Sequence, residues 1–421
     1  MKILWTVNLI PSDAAEKLGV KSDVLGGWVE SMANALKKNS EVTLAIACKC
    51  GSGVEFRDRV SGIEYYSLPY GSKTKLDELE KTCTDILKDF EPDIVHIEGT
   101  EFLHAKAMMN ASKKLGKKCV VSLQGIHNGC YQYECGQLQI DDMMFSRSLT
   151  NIFAAWILRL RKTIWFRPRM KHEKEVIEQA EYILGRTTWD RAHSYALNSD
   201  AKYYSVNRNL RRPFYEASWN SDRMERHSIY VGNGYFALKG LHFVVEALPQ
   251  LIREYPDIKV YVAGTKPFSD DDKRRFYKKG YGAYLKKRIK DLGVDEHIVF
   301  TGPLKADEVA DRLSRVNAYV LCSAIENSPN TLGEAMAVGA PCIAAYVGGV
   351  PDMATDGEEA LFYRNDDPAM LAWSVKRIFD SDELALSLSK KARIRAAETH
   401  DTAKNAEKLY CAYREIVDDV R

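Results

Sequence analysis

Short apolar runs, rich in valine and isoleucine, recur along this chain with helical spacing of apolar positions between them. In the first half KILWTV (2–7), VTLAIAC (42–48), GIEYYSL (62–68), DIVHIEG (93–99) and CVVSLQG (119–125) have strand length, and 25–38, 76–89 and 102–115 have helical periodicity. In the second half the same alternation appears in HSIYV (227–231), IKVYVAGTK (258–266), IVFTGPL (298–304) and NAYVLCSA (317–324). Strands that are apolar on both faces belong in parallel sheets covered by helices on each side. An α/β chain of doubly wound parallel sheets is therefore expected.

At 421 residues the chain is long enough for two domains, each with its own core. The boundary is expected where polar residues dominate and periodicity is lost. That places a first domain at 1–210, a linker at 211–226, a second domain at 227–398, and a final helical segment at 399–421. Sixty basic and 58 acidic residues leave a net charge of +2, which argues against a dedicated nucleic-acid binder. Nine cysteines suggest reduced thiols. Neither Cys48 and Cys50 nor the loose group His127, Cys130 and Cys135 has the paired spacing of a zinc site, and no metal is expected. MKILWTVNLIPSD opens on a strand and not a signal peptide, and no apolar run reaches the roughly 18 residues needed to span a bilayer. A cytoplasmic protein is expected. No GxGxxG is present, so nicotinamide dinucleotide binding has little support.

The densest chemistry lies in SAIENSPNTLGEAMAVGAPCIAAYVGGVPD (323–352). Ser328 and Pro329 read as N-cap and first position of a helix that Gly339 ends. The free amides of Asn330 and Thr331 would then point out of the carboxyl edge of the sheet, where a helix start favours phosphate. Glu326 on the loop and Glu334 in the helix flank that position, and both can accept hydrogen bonds from sugar or ribose hydroxyls. The same two carboxylates would also suit a solvated loop and a helix start favoured by the dipole.

E-x(7)-E followed by AMAVGAPCIAA and VGGVPD resembles the donor-site signature of the retaining, nucleotide-sugar-dependent glycosyltransferases of group 1. IENSPNTLGEAMAVG is similar to the branch that builds capsular or surface polysaccharide. The resemblance implies the GT-B fold, two Rossmann-like domains with parallel sheets facing across a cleft, and a final helix that crosses back to the first domain. It implies transfer of a sugar from a nucleotide diphosphate, UDP or GDP, to a glycan or lipid-linked acceptor, with no cofactor and no bound metal. On this reading Glu334 accepts from the ribose, Glu326 holds the donor sugar at the reacting centre, and Lys239 meets the diphosphate. Asn327, Asn330, Thr331, Gly264 and the Gly26–Gly27 turn complete the donor contacts.

Two positions depart from the family pattern. Gln124 stands where relatives carry a histidine that contacts the donor sugar, with His127 three residues further on. Asn233 stands near the place of a diphosphate-binding arginine, which leaves the second cation to Arg186 or Lys266. Glu98, Glu101, Gln124, Arg186 and Asp190 fall at carboxyl ends of strands and are candidate sugar or acceptor contacts. An epimerase or phosphorylase on the same fold and an inactive partner protein are the alternatives.

Residues 148–176 combine Ile152, Trp156, Leu160 and Trp165 at helical spacing with a run of arginines and lysines. Such a segment suits the surface of an anionic membrane, or else packs its apolar stripe on its own domain.

Overall fold

The computed structural model describes residues 1–17, 19, 27–51, 53–71, 73–139, 164, 166–268 and 280–420. The chain forms two compact units. The first comprises Met1–Gly129, Phe166–Leu210 and His400–Arg421, and the second Cys130–Trp165 and Arg211–Thr399.

In the first unit eight strands form one sheet: β1 (Lys2–Val7), β2 (Thr43–Cys50), β3 (Arg57–Val60), β4 (Ile63–Pro69), β5 (Ile94–Glu98), β6 (Lys118–Ser122), β7 (Tyr182–Gly185) and β8 (Lys202–Ser205). Their order is β3-β4-β2-β1-β5-β6-β7-β8. All neighbours are parallel except the β3–β4 hairpin at one edge. The edge strands β3 and β8 escape periodicity because each is four residues long and largely exposed or half-buried. The central strands carry the apolar runs because both faces are covered. One face packs on helices Gly27–Leu36 and Thr402–Asp418 through Val29, Met32, Leu409 and Tyr413. The other packs on helices Leu76–Phe90, Leu103–Lys114 and Arg167–Gln179.

The last segment belongs to this unit. Tyr413 is fully buried, and its hydroxyl accepts from Trp5 Nε1 at 3.0 Å and meets His96 Nδ1 at 2.5 Å. His96 is thus a core histidine.

In the second unit β9 (Glu225–Val231), β10 (Lys259–Ala263), β11 (Ile298–Gly302), β12 (Val316–Leu321), β13 (Cys342–Ala345) and β14 (Ala360–Tyr363) form a wholly parallel sheet. The order is β11-β10-β9-β12-β13-β14. The chain runs outward in one direction from β9 and in the other from β12. The loops leaving these two adjacent strands therefore diverge at a switch point, the place where open α/β sheets bind ligands.

Residues 130–139 depart from the sequence-based boundary and pack with the second unit. Gly136, at φ +59°, sits so close to Ala237 that an added Cβ would lie 2.2 Å from its carbonyl oxygen. His242 Nε2 contacts Gly136 O at 3.0 Å, and Asn365 Nδ2 donates to Gln137 Oε1. No apolar period marks this excursion, because single backbone contacts hold it.

None of the nine cysteines forms a disulfide, and Cys48 and Cys50 are buried within β2. Most of 148–176 lies outside the described residues. Of its described part, helix Arg167–Gln179 buries Glu173, Val176 and Ile177 against its own unit. No described helix is long and apolar enough to cross a membrane.

Candidate active site

The site is built by the two loops that leave β9 and β12. Strand β12 is buried throughout, which fixes where its outgoing loop begins. Gly240, at φ +72°, closes the β9 loop so tightly on this point that a Cβ would stand 1.7 Å from Cys322 O. Ala324 N donates to Leu238 O at 2.8 Å, and the two loops are thereby joined by backbone.

This stitching brings Lys239 to Glu326. Lys239 Nζ lies 2.5 Å from Glu326 Oε1, and Ser323 Oγ donates to the same oxygen at 2.7 Å. Behind the glutamate, Gly349 N donates to Glu326 O at 3.0 Å. Gly348, at φ +51°, leaves room that a Cβ would close, 2.0 Å from the same carbonyl. The VGGV turn therefore supports the backbone of the carboxylate loop.

The helix that follows starts one residue later than the sequence suggests. It runs Asn330–Val338 with Pro329 as its N-cap in extended conformation and no side-chain cap. Ser328 does not cap it; its hydroxyl points to Met353 Sδ at 3.7 Å. Leu332 and Gly333 both donate to Pro329 O, so the Asn330 and Thr331 amides open the helix without an intrahelical acceptor. Thr331 is exposed and Asn330 half-buried, whereas Asn327 is buried. Thr331 also packs near Gly232 in the β9 loop, where a Cβ would meet its Cγ2 at 3.5 Å. Gly264, at φ +88°, ends β10 and donates its N–H to Gly302 O.

Glu334 is only 3% exposed. Burial pushes its carboxyl up to about 7, against the opposing pull of the Arg211 guanidinium. Arg211 sets Nε at 2.9 Å and Nη2 at 2.8 Å from Glu334 Oε1, a charge-assisted pair that favours the ionised form. Sequence reasoning missed Arg211, which lies in a stretch read as linker. The only signal was its place in the Arg-Arg-Pro sequence where the chain re-enters the second unit.

Lys266 lies over the rings of Phe268 and Phe300, 4.6 and 5.1 Å from their centroids. Tyr281 is buried, its hydroxyl 3.3 Å from His242 Nδ1, and is a packing residue. Among the described residues no group of three or more His, Cys, Asp or Glu gathers as a metal site would require.

The remaining candidates lie in the first unit. Gly27 is the first residue of helix Gly27–Leu36, and Gly26 lies outside the described residues. Glu98 is buried at the end of β5 and is paired with Arg208 Nη2 at 3.2 Å, while Gln124 Nε2 donates to the same Glu98 oxygen at 3.4 Å. Arg208 was not anticipated, because it too falls in the unpatterned stretch after β8. Arg186 Nη2 donates to Leu123 O at 2.9 Å and Gln124 O at 3.1 Å.

Asp190 is fully buried. It accepts from the Arg186 and Thr187 amides and from Tyr203 Oη, and forms a capping box with Thr187. Its carboxylate holds the helix start. His127 Nε2 stands 3.9 Å from Glu101 Oε1, and its ring meets Phe166 edge-on. The loop that carries it is pinned by Glu173, which accepts from the His127 and Asn128 amides at 2.8 Å.

In the second unit, then, a lysine and the first-turn amides of a helix supply positive potential at a switch point. Two carboxylates supply hydrogen-bond acceptors beside it. The family described as glycosyl transferases group 1 has a model that matches residues 211–395, the whole of this site included. Residues 211–395 belong to that family.

The glycosyltransferase module sits in a chain that resembles known proteins along nearly all its length. Spore coat protein SA of Bacillus subtilis (strain 168) is 24% identical over 95% of this chain and 97% of its own. Among solved structures, sucrose-phosphate synthase (tll1590) from Thermosynechococcus elongatus superposes with a TM-score of 0.72 at 16% identity, covering 99% of both chains. Anabaena Alr3699/HepE in complex with UDP-glucose gives 0.66 at 14% identity, over 99% of this chain and 100% of that one. At such identities the two structures establish a shared fold, the two-unit GT-B architecture.

Proposed function

We propose that this chain is a retaining, metal-independent glycosyltransferase that moves a sugar from a nucleotide diphosphate to a glycan or lipid-linked acceptor in surface-polysaccharide synthesis. The observation that carries the reading is the convergence of Lys239, Glu326 and the Asn330–Thr331 amides at the β9/β12 switch point. In departure of the diphosphate, negative charge grows on the leaving oxygen. A fixed ammonium and two helix amides stabilise it most in the transition state, the term that dominates catalysis of this kind. That donor set does the work a bound cation would otherwise do.

Glu326 is held by Lys239, Ser323 and the Gly349 amide, and orients the donor sugar so that its reacting carbon faces the acceptor. Glu334 accepts from the ribose hydroxyls. Retention follows from attack of the acceptor on the face that the diphosphate leaves, which requires no enzyme nucleophile. A UDP sugar is the favoured donor, because HepE, on the same fold, is described in complex with UDP-glucose. The resemblance of IENSPNTLGEAMAVG to the capsular branch and the full-length similarity to a spore coat protein support a surface glycan as product.

The test is a thermal-shift screen of the full chain against UDP, GDP, ADP, CMP and dTDP and their sugar conjugates. A ligand at a hundred times its dissociation constant stabilises by roughly 2.7 kcal/mol. Stabilisation by one nucleotide class, followed by NMR detection of a product with the donor's anomeric configuration, is the expected result. Stabilisation without transfer to any acceptor would favour an inactive partner protein. Sugar conversion without an acceptor would favour an epimerase.

A further inference from the structure

We propose that a cavity at the carboxyl edge of the first unit's sheet binds an acidic group, a phosphate monoester or a carboxylate, on the molecule that receives the sugar. The assignment to the acceptor rests on the transferase reading above; the anion site itself stands on the geometry of the first unit.

The cavity encloses about 420 Å³ of atom-free space, part of it open to solvent, and is lined by Trp28, Glu98, Ser122, Arg186, Asn207 and Arg208, among others. Its ionised lining is two guanidiniums against one carboxylate. Glu98 is already paired with Arg208, so the surplus charge sits on Arg186.

Arg186 has no carboxylate on its side chain among the described residues. Its Nη2 donates to two neutral carbonyls, and its buried Nε has no hydrogen-bond partner among the described residues. The acidic groups around it are engaged elsewhere. Asp190 is fully buried and caps its own helix, accepting from the Arg186 backbone amide and from Tyr203. Glu101 accepts from the Thr100 amide and faces His127. His96 adds no charge at neutral pH, because burial pushes its imidazole down to about 4.

A buried guanidinium N–H without a partner is costly, and an incoming oxyanion satisfies it while neutralising the charge. The planar fork of arginine matches carboxylate and phosphate oxygens in pairs. Arg208 lies over the face of Trp28, 3.6 Å from the ring centroid, which holds the second guanidinium in place. Ser122 and Asn207 offer neutral hydrogen-bonding groups for hydroxyls beside the acid.

Isothermal titration of the full chain with glycerol 3-phosphate, glycerate and neutral glycerol tests this. The site predicts saturable binding of one or both acids and none of glycerol. Phosphate alone, carboxylate alone or both then names the group. Arg186→Met should weaken the acid at least tenfold, and Arg186→Lys, which keeps the charge but not the fork, should weaken it less. Should Arg186→Met fail to fold, the double variant Glu98→Gln with Arg208→Met removes the second guanidinium without stranding a buried carboxylate, and should also weaken the acid at least tenfold. Absence of acid binding to the wild-type chain, or wild-type affinity in both folded variants, overturns the proposal. Failure of the transferase reading shows separately, as no response of the wild-type chain to any nucleotide sugar.

Discussion

Arg211 places two guanidinium N–H groups on one oxygen of Glu334, at 2.9 and 2.8 Å, from the residue at which the chain re-enters the second unit. The carboxylate is buried in helix Asn330–Val338, which follows the β12 loop. Burial raises this carboxyl, and a residue from the chain crossing pulls against that rise.

Donor binding should therefore depend on pH. Glu334 titrates near 7 in the folded chain, above the ordinary glutamate value of about 4.3. Between those values the folded state holds a proton that the unfolded state has lost, so the contribution of this group to stability falls as pH rises through about 7. Nucleotide affinity should move the opposite way, because the ionised carboxylate is the better acceptor for ribose hydroxyls. We expect affinity to fall by up to about tenfold per pH unit below 7, and Arg211→Met to shift the midpoint upward. Titration of the favoured nucleotide between pH 5.5 and 8.5 reads both; a flat profile would remove Glu334 from the ribose.

The two glutamates should separate binding from transfer. Glu334→Ala should abolish nucleotide binding. Glu326→Ala should leave nucleotide binding largely intact while stopping transfer, since its contacts are to Lys239 and Ser323. Binding and turnover measured on the same preparations check this, and normal transfer by both variants would refute the site.

Lys239→Met should lower turnover by roughly 100- to 1,000-fold, the usual loss when one fixed donor to developing charge is removed. The Michaelis constant should change less than kcat. An equal loss in ground-state binding would mean that the lysine serves affinity alone.

Two glycines differ in a way that a melting experiment can read. Gly240→Ala would put a methyl group 1.7 Å from Cys322 O and should unfold or grossly distort the second unit. Gly357 also has positive φ, +75°, but open space around it. Alanine there should cost only the roughly 1–2 kcal/mol of a left-handed backbone.

Tyr413→Phe tests the attachment of the last helix. It leaves Trp5 Nε1 without its acceptor and removes the partner of His96 Nδ1, a loss of roughly 1–3 kcal/mol in denaturant unfolding. No change would mean that apolar packing alone holds the segment.

Much of this was legible in the sequence, because a parallel strand covered on both faces must be apolar throughout. Strands β1, β2, β5, β9 and β12 announce themselves in that way. The Glu326 loop, the helix carrying Glu334, and Lys239 before Gly240 were equally readable, since turn chemistry and helix periodicity are local. The edge strands β3 and β8 were not, being short and half-covered. Neither was the packing of residues 130–139 on the second unit, which depends on a glycine where an added Cβ would stand 2.2 Å from a distant carbonyl oxygen. Arg208 and Arg211 sit in an unpatterned stretch, and only the fold pairs them with Glu98 and Glu334. The sequence by itself determined which elements form and which residue types reach the carboxyl edges. Tertiary structure alone decided which charges meet, because an ion pair joining residues a hundred positions apart leaves no period in the chain.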